Sequence, residues 1–549
     1  MMTVTLINAG LPEDAFSTLC DFCREELPRR GIPYSPDGDY RITVGTDVAL
    51  TSDAFRLTPG SRGALVAGAS VSAVFHGTGY LLRQLLPDGT GGWTPLRNAV
   101  TLTPQKPLRG IYFATHFGNF YHAAPLEEVC RRVVLSATRG YNALLVWFDM
   151  HHFRSMSDPG AMALSERLHG ILKFANRCGM GASLLMLANE GFASTPLPLR
   201  AHFAVENGYH AVPTGHYGCE ICPSVPGGVE EILRQKREVL AAFSDLRFDS
   251  VILWPYDQGG CTCSACAPWG GNGYLRLLPH CIDLIQSTLP KSKIILSTWF
   301  FDHFTTGEWD AFFRAAENGT LSHADCLMAT RVHTEFPAWK EFNWISFPEI
   351  SMLHCAPWGG YGASILTDAL QEKLVPELAN MSGGFPYSEG IFEDANEFLV
   401  AGLYTGEFTD THTALRAYAQ WEFCCSEDAL VQAMLDTEKT LPRTDDEDNA
   451  VFTLRDPSRA ERIAQTLEDY HRCLPPSVTS GTVFRLLYLR AVIDRELVRH
   501  GGNPFASPYC IAAMEEVDRL YHVTNETSLW VRTPVWRLHK EARPENTAV

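Results

Sequence analysis

Short apolar runs alternate with amphipathic segments through residues 109–405, and each apolar run ends in polar residues. Six runs are almost continuously hydrophobic, which is typical of parallel strands buried on both faces: GIYFATHF, NALLVWFDM, ASLLMLANE, DSVILWPYD, KIILSTWFFD and DCLMATR. Two weaker runs follow, NWISFPEIS and SGGFPYSEG. The intervening segments, such as PLEEVCRRVVLSATRG and SERLHGILKFANRCG, have apolar residues at helical spacing.

This rhythm predicts an α/β protein built on a (β/α)8 TIM barrel. Eight β-α units in roughly 300 residues are close to the usual size of that fold. The alternative is a doubly wound open sheet, which has fewer strands and usually a glycine-rich phosphate loop. Neither G-x-G-x-x-G nor G-x-x-x-x-G-K-[ST] occurs in the chain, so the barrel is favoured.

The patterns on either side of the barrel differ from it and from each other. Residues 1–105 alternate strand and helix signals, with a hairpin turning at Pro59-Gly60, and predict a small α+β domain. Prolines at 95, 104 and 107 place a boundary near 105, so the barrel would occupy 106–408. Residues 409–549 read as several helices with an acidic loop, TDDEDN, and predict a C-terminal helical domain.

The amino-acid composition limits the kinds of binding partner that the protein is expected to have. The formal net charge of −18 argues against nucleic acid and anionic membranes, which need a basic protein surface. No apolar run is long enough to span a bilayer, and the first residues show no signal peptide, so a cytoplasmic location is expected. The 16 cysteines are scattered, many of them in apolar segments, which favours reduced thiols over a disulfide scaffold. The oligomeric state stays open, a homo-oligomer included.

Polar residues at the strand ends would share one rim of the barrel, where the active sites of this fold lie. The candidates for that rim are His116, Asn119, Asp149, His152, Glu190, Tyr256, Asp257, Trp299, Arg331, His333, Glu349, Tyr387 and Glu389. Aromatic rings stack on sugar faces, and carboxylates, amides and imidazoles hydrogen-bond sugar hydroxyls. The composition of this rim therefore predicts a carbohydrate ligand.

Two acids stand out within that rim. Asp257 follows Tyr256 and precedes Gln258-Gly259, and Glu389 lies two residues after Tyr387 and directly before Gly390, each at the end of a predicted strand. Hydrolysis of a glycoside usually needs one protonated carboxyl and one carboxylate flanking the bond, with no cofactor. Asp257 is expected to orient or activate and Glu389 to act as acid/base, with Glu190 and Glu349 as further catalytic candidates. The turn Ala-Pro-Trp-Gly-Gly occurs at 267–271 and 356–360, and Trp269 and Trp358 are candidate stacking platforms.

Two groups of residues have the composition of metal sites. Cys261, Cys263 and Cys266 lie on one short loop, and Cys222 precedes them, so these four thiols could hold a structural zinc ion. Asp149, His151 and His152 form the second group. On an extended strand neighbouring side chains point to opposite faces, which predicts that the two histidines do not both face inward.

The layout resembles a known group of enzymes. The segment AFRLTPGSRGALVAGASVSAVFHGTGYLLRQLL, a proline linker and RGIYFATHF resemble the N-terminal domain and barrel entry of family 20 β-N-acetylhexosaminidases. Family 67 and family 115 α-glucuronidases share that layout. The motifs WPYDQGGCTCSACAPWG and YSEGIFEDANEFL resemble bacterial glycosidase-like proteins, including endo-β-N-acetylglucosaminidases with a C-x-C-x-x-C loop. The resemblance covers about residues 40–405 and implies a glycoside hydrolase on a barrel scaffold.

One departure from family 20 concerns the fourth strand. Enzymes of that family carry adjacent Asp-Glu there, with the glutamate as acid, whereas this chain has Asp257-Gln258. Glutamine cannot act as an acid, so the proton must come from elsewhere, with Glu389 as the first choice. An α-glucuronidase using Arg331 or His333 for the uronate, a non-catalytic carbohydrate-binding barrel and a zinc-dependent hydrolase remain alternatives.

Overall fold

The computed structural model describes residues 2–87, 93–116, 118–203, 218–256, 259–303, 305–321, 323–329, 342–351, 365–440, 442–446 and 451–522. Its centre is a closed barrel of eight parallel strands, as the sequence predicts. The strands, numbered here 1 to 8 around the barrel, are Leu108–Phe113, Ala143–Trp147, Gly181–Leu187, Phe248–Trp254, Lys293–Ser297, Cys326–Ala329, Asn343–Ser346, and the paired segments Gly383–Gly384 and Tyr387–Ser388.

Closure depends on the eighth strand, which pairs with strand 1 through both of its segments. Gly383 aligns with Leu108, and Tyr387 aligns with Tyr112. Gly110 in strand 1 faces the ring of Phe385, and a Cβ at that position would lie 2.2 Å from the ring. A glycine is therefore required at position 110 for Phe385 to fill the barrel interior.

The outer layer of the barrel consists of helices that follow the strands. Their described bounds are Leu126–Arg139, Pro159–Arg177, Gly228–Ala241, Gly273–Thr288, Glu308–Glu317, Thr367–Lys373 and Asp394–Thr405. Most are amphipathic and bury one face; Asp394–Thr405 differs because it is buried on every side, between the barrel and the C-terminal helices.

The N-terminal region folds around a mixed five-stranded sheet. Its strands are ordered Val4–Asn8, Tyr40–Thr46, Gly63–Gly68, Phe55–Gly60 and Val100–Leu102. Helices Glu13–Arg29 and Val71–Gln84 belong to the same region, and the predicted hairpin joins Phe55–Gly60 to Gly63–Gly68. Leu86–Pro87 and Trp93–Thr94 form a separate two-stranded pair.

The C-terminal region is helical, with one exception. The helices are Thr411–Phe423, Asp428–Thr437, Pro457–Cys473, Pro476–Thr479, Thr482–Arg499 and Pro508–Leu520. Pro442–Asp446 and Val451–Leu454 pair as an antiparallel hairpin, where the sequence predicted an acidic loop between helices. Acidic residues and proline have low strand propensity, which hid the first strand, although the run Val451–Leu454 carries a β-branched and aromatic signal. Among the helices that the structure describes, none combines the length and apolar character needed to cross a membrane.

Candidate active site

Aromatic side chains cover the interior of the barrel at the carboxyl ends of its strands. Tyr112, Trp147, Trp254, Phe347 and Tyr387 belong to the cluster that fills the barrel, with Trp299 packed against it. Ring centroids are 5.1 Å apart for Tyr112 and Tyr387, and 5.0 Å apart for Trp254 and Phe347. We call these six residues the aromatic floor. Such a surface provides ring faces for the apolar side of a sugar.

Polar residues continue the inward-facing set just above the floor. Side chains on one strand alternate in direction, so a residue two positions beyond an inward residue is also expected to face inward. His116, Asp149, Glu349 and Glu389 stand in that position after Ala114, Trp147, Phe347 and Tyr387. A bridge between Glu349 and Tyr387 joins strands 7 and 8 at this level. From this alternation we expect three predicted acids, which follow strands 2, 7 and 8, to share the mouth of the barrel at the carboxyl ends of its strands.

Glu190, at the end of strand 3, is buried against strand 2. Its carboxyl accepts hydrogen bonds from Trp147 Nε1 at 3.2 Å and from the Met150 amide at 2.7 Å. His151 Nδ1 lies 3.4 Å away. Burial raises the pKa of Glu190 to about 7, and these donors together with Lys236 limit the rise. A carboxyl with this pKa keeps much of its proton at neutral pH, which is what a general acid requires.

Asp149 and two histidines lie beside Glu190. Burial, followed by the Glu190 charge, raises the pKa of Asp149 well above its ordinary value. Burial lowers the pKa of His151 to about 3 and that of His152 to about 4. His152 Nε2 lies 3.4 Å from Asp149 Oδ2. The group thus combines a carboxyl of raised pKa with two imidazoles of lowered pKa, a set suited to hydrogen-bonding neutral hydroxyls.

The two histidines lie in a turn, where the sequence predicted an extended strand. Met150–His152 forms a 3₁₀ turn instead of continuing the extended strand, and the rings of His151 and His152 lie 3.9 Å apart. One ligand atom each of Asp149, His151 and His152 falls within 4.8 Å of the others. This turn brings together three groups that an extended chain would have separated, and they could hold a divalent cation.

Glu389 lies at the end of strand 8 and is partly exposed. Tyr387 Oη donates to its carboxylate at 3.1 Å. The His116 ring lies 6.3 Å from the Tyr387 ring and 4.9 Å from the ring of Trp147, which is the donor to Glu190. Contacts therefore link Glu190 through Trp147, His116 and Tyr387 to Glu389.

The strand end that carries Glu389 is fixed by a buried ionic network. Ser388 Oγ donates to Glu397 at 2.9 Å, and the same carboxylate accepts from Tyr121 Oη and from Arg132. Arg132 also binds Asp394, to which Arg139 donates at 2.9 Å. The arginine and acid side chains of this network are almost completely buried. Although burial opposes ionisation, Arg139 and Arg132 lower the pKa of Asp394 below its usual range.

Glu393 supports the same loop through hydrogen bonds. Its carboxyl accepts from the Gly390 amide at 2.8 Å and from Ser388 Oγ at 3.3 Å. Burial, with the charges of Glu389 and Glu397, raises the pKa of Glu393 well above its ordinary value. Above the loop, Tyr521 Oη donates to the Glu389 carbonyl at 2.7 Å. The backbone around Glu389 is therefore held from the barrel side and from the C-terminal helices.

Glu308, the first residue of the helix that follows strand 5, is a buried acid that contacts the loop after strand 4. Tyr256 Oη donates to Glu308, which also accepts from the amides of Gly270 at 2.6 Å and Asp302 at 3.0 Å. Burial raises the pKa of Glu308 to about 6. Trp269 is fully buried beside it and donates to the Pro255 carbonyl at 2.7 Å. These contacts correct the expectation that Tyr256 and Trp269 present their rings to a sugar, because both pack inside the loop.

The remaining predicted residues divide into two sets. Asn119 is buried at the start of the short helix Phe120–Ala123, next to His116. Asp257, Arg331, His333 and Trp358 lie outside the described residues.

Sequence reasoning overlooked Trp147, Trp254, Phe347 and Glu308. The three aromatic residues sit at inward positions of strands 2, 4 and 7, so alternation alone could have found them, whereas Glu308 stands on a helix and gives no local signal.

Trp299 offers a direct test of the aromatic floor. Its ring is partly exposed and packs 5.6 Å from Trp254. Replacing Trp299 by alanine should raise KM about tenfold with kcat nearly unchanged, because stacking contributes about 1.4 kcal/mol to bound substrate and transition state alike. Michaelis–Menten kinetics on a hydrolysed glycoside measures both constants. Trp299→Phe retains a ring and should stay near wild type; equal KM values in all three proteins would exclude the ring from the binding site.

The four predicted cysteine ligands lie together behind the mouth, on the loops that follow strands 3 and 4. One sulfur atom from each of Cys222, Cys261, Cys263 and Cys266 lies within 4.8 Å of the others. Every cysteine that the structure describes carries a free thiol. The cluster is therefore a group of thiols and not a pair of disulfides.

No family model matches the sequence, and no curated protein matches it significantly. Solved structures do share the fold. The family GH115 4-O-methyl-α-glucuronidase BtGH115A, with specificity for decorated arabinogalactans, is 11% identical with a TM-score of 0.61, over 98% of this chain and 78% of that one. A variant of the family 89 glycoside hydrolase of Clostridium perfringens, bound to GlcNAc-α-1,4-galactose, is 11% identical with a TM-score of 0.59, over 94% of this chain and 64% of that one.

A third structure belongs to the family to which the sequence motifs are similar. The GH20 exo-β-N-acetylglucosaminidase of Vibrio harveyi, in complex with N-acetylglucosamine, is 14% identical with a TM-score of 0.51. The match covers 77% of this chain and 73% of that one. The resemblance to family 20 and family 115 layouts is thus found again in three dimensions, and at these identities it shows the fold.

Proposed function

We propose that the protein is a glycoside hydrolase whose active site lies at the carboxyl end of the barrel. The observation that carries the proposal is the contact path from Glu190 through Trp147, His116 and Tyr387 to Glu389. Glu190 follows strand 3 and accepts from Trp147, and Glu389 follows strand 8 and accepts from Tyr387, so each carboxyl contacts a residue of the aromatic floor. Paired carboxyls over a surface that can bind a sugar are the arrangement that glycoside hydrolysis needs.

The two carboxyls suit different roles. Glu190 is buried and holds its proton near neutral pH, so it is assigned as general acid for the leaving oxygen. Glu389 is partly exposed and is assigned as the partner carboxylate, acting as nucleophile or base. This changes the order drawn from sequence, in which Glu389 was the first choice as acid. Asp257 remains the candidate that orients the substrate, and Glu349 is a further candidate.

The substrate class proposed first is an oligosaccharide or glycoconjugate with an N-acetylhexosamine at the scissile bond. Support comes from the family 20 and family 89 neighbours, whose bound ligands contain N-acetylglucosamine. The test is a panel of aryl glycosides in both anomeric forms, with product anomers followed by NMR. Release of the aryl group from an N-acetylhexosaminide supports the proposal. Sugar binding by calorimetry with hydrolysis of no glycoside would instead select a non-catalytic carbohydrate-binding barrel.

An α-glucuronidase is the second candidate, because BtGH115A aligns with 98% of this chain, including its C-terminal helices. A uronate carboxylate needs a cation, for which Arg331 or His333 is proposed. Activity on an aryl α-glucuronide without activity on N-acetylhexosaminides would select this reading. Arg331→Ala and His333→Ala should then raise KM for the glucuronide alone.

The pH dependence follows from Glu190. The folded protein holds this proton more tightly than the unfolded chain, so the active acid form is present below the folded pKa of about 7 and is lost as pH rises through it. We expect kcat/KM to fall about tenfold per pH unit above that value. A kcat/KM profile from pH 5 to 9 measures this. Glu190→Gln should lower the maximum of kcat/KM and abolish its fall at high pH, whereas Glu190→Asp should still show such a fall. An unchanged fall at high pH in Glu190→Gln would exclude Glu190 as the acid.

The cysteine cluster is given a structural role in this proposal. Four thiolates around one zinc ion leave no open coordination position for water or substrate. The hydrolytic chemistry is therefore assigned to the carboxyls and to no cofactor.

A further inference from the structure

The loops that follow strands 3 and 4 meet at four cysteine sulfurs. Cys222 belongs to the first loop, and Cys261, Cys263 and Cys266 belong to the second. Cys222 Sγ lies 3.8 Å from the sulfurs of both Cys263 and Cys266. A disulfide would need about 2.05 Å between sulfurs, so these contacts are not bonds. Four thiols at mutual contact have little reason to converge unless they share a ligand.

The 3.8 Å spacing of Cys222 Sγ from the sulfurs of Cys263 and Cys266 is that of thiolates around a tetrahedral metal ion. Zinc binds thiolate sulfur at about 2.3 Å in tetrahedral geometry, which separates neighbouring sulfurs by about 3.8 Å. Three of the four cysteines are buried, and no carboxylate or imidazole of a described residue belongs to the cluster. Soft sulfur ligands in this number favour zinc over magnesium or calcium, which prefer oxygen. We propose that Cys222, Cys261, Cys263 and Cys266 bind one zinc ion and that this ion braces the active-site loops.

Hydrogen bonds around the sulfurs support metal ligation. The His202 amide donates to Cys261 Sγ at 3.5 Å, and Ser224 Oγ lies 3.0 Å from Cys266 Sγ. The Cys266 amide donates to the Cys263 carbonyl at 2.9 Å, which sets the turn between these two ligands. Such bonds orient thiolates and offset their charge once a metal has displaced the protons.

The proposed zinc site is connected to the mouth of the barrel through Asn189, which directly precedes Glu190. Its side-chain amide donates to the carbonyls of Ile221 at 3.0 Å and Gly260 at 2.7 Å. Its side-chain oxygen accepts from the Gly260 amide at 2.9 Å. Ile221 directly precedes Cys222, and Gly260 directly precedes Cys261. The proposed zinc ion and the Asn189 side chain therefore both connect the two loops. The role in turnover rests on the proposed function; the metal site itself does not.

The metal site is tested on the full-length protein without substrate. Protein produced with added zinc should contain one zinc per chain by inductively coupled plasma mass spectrometry. Cys222→Ser and Cys263→Ser should each lose most of that metal. Cys219→Ser is the matched control, because Cys219 lies on the same loop, is equally buried and stands outside the cluster. Metal-free wild-type protein, or full zinc content in Cys222→Ser, would overturn the site.

A spectroscopic measurement covers the case in which a serine variant does not fold. Cobalt exchanged into the wild-type protein should give sulfur-to-cobalt charge-transfer bands and strong visible bands of tetrahedral geometry. Cys222→His supplies a nitrogen ligand in place of sulfur and should keep one metal with shifted bands. A weak octahedral cobalt spectrum in wild type would contradict four-thiolate binding.

The role of the zinc ion in positioning the active-site loops is tested by measuring kcat. Zinc removed by a chelator from protein that stays folded by circular dichroism should lower kcat about 100-fold, because small displacements of active-site loops carry penalties of that order. Added zinc should restore it. Unchanged kcat in the metal-free, folded protein would overturn the bracing role. If holoprotein hydrolyses no glycoside at all, the proposed function fails, and the zinc content still decides the metal site.

Discussion

Glu389→Gln is expected to lower kcat by about 10²- to 10⁴-fold while the protein stays folded. A positioned carboxyl acting on the reacting bond contributes an effect of that size. The substitution keeps the shape of the side chain and a group that can accept from Tyr387 Oη, so the loop geometry should survive. Steady-state kinetics on the aryl glycoside that wild type hydrolyses fastest, with circular dichroism for folding, measures the effect.

The control for this experiment is Glu372→Gln. Glu372 is exposed on the helix Thr367–Lys373 and should tolerate the same chemical change with full activity. Glu190→Gln belongs in the same series, because the proposal requires both carboxyls. If Glu389→Gln and Glu190→Gln both turn over at close to the wild-type rate, the assignment of the active site is refuted.

Arg132→Met is expected to destabilise the protein by about 3–5 kcal/mol. Arg132 is buried between Asp394 and Glu397, and removing it leaves two buried carboxylates short of a cation. Methionine fills a similar volume, so loss of charge compensation dominates the result. Urea denaturation followed by fluorescence measures the change in unfolding free energy.

A surface arginine supplies the comparison for that measurement. Arg24 and Asp21 form an ion pair in which both side chains are more than half exposed. Arg24→Met should cost about 1 kcal/mol or less, because solvent screens such pairs. Equal losses in Arg24→Met and Arg132→Met would show that the buried network does not stabilise the fold. A lower kcat in Arg132→Met at a temperature where it is folded would further show that the network positions Glu389.

Most of the architecture could be predicted because it is encoded locally. Each barrel strand is a short apolar run with a polar end, and the intervening helices repeat at helical spacing, so neighbouring residues carry the signal. All eight strands appear where the sequence places them. The hairpin of Pro442–Asp446 and Val451–Leu454 was missed because its first strand consists of residues that individually disfavour strands.

The sequence predicted which residues belong to the candidate site better than it predicted the role of each residue. Strand ends identified Glu190 and Glu389, since polar residues there follow from the fold. Burial raises the pKa of Glu190, and hydrogen bonds from Trp147 and from Met150, in the turn after strand 2, limit the rise. These contacts join segments that are far apart in sequence, so no local pattern records them. In the same way, Trp269 looks like a binding residue by composition, and only its packing beneath the loop shows otherwise.

The hydrogen bond from Tyr521 to the Glu389 carbonyl bears on how this protein can evolve. C-terminal helices joined to the barrel only by a linker could be replaced by recombination without affecting the barrel. Here the last described helix, Pro508–Leu520, delivers a phenol to the backbone of a proposed reacting residue. Because this bond joins the end of that helix to the loop after strand 8, a substitution that removes the Tyr521 hydroxyl would take away a support of Glu389 that comes from outside the barrel.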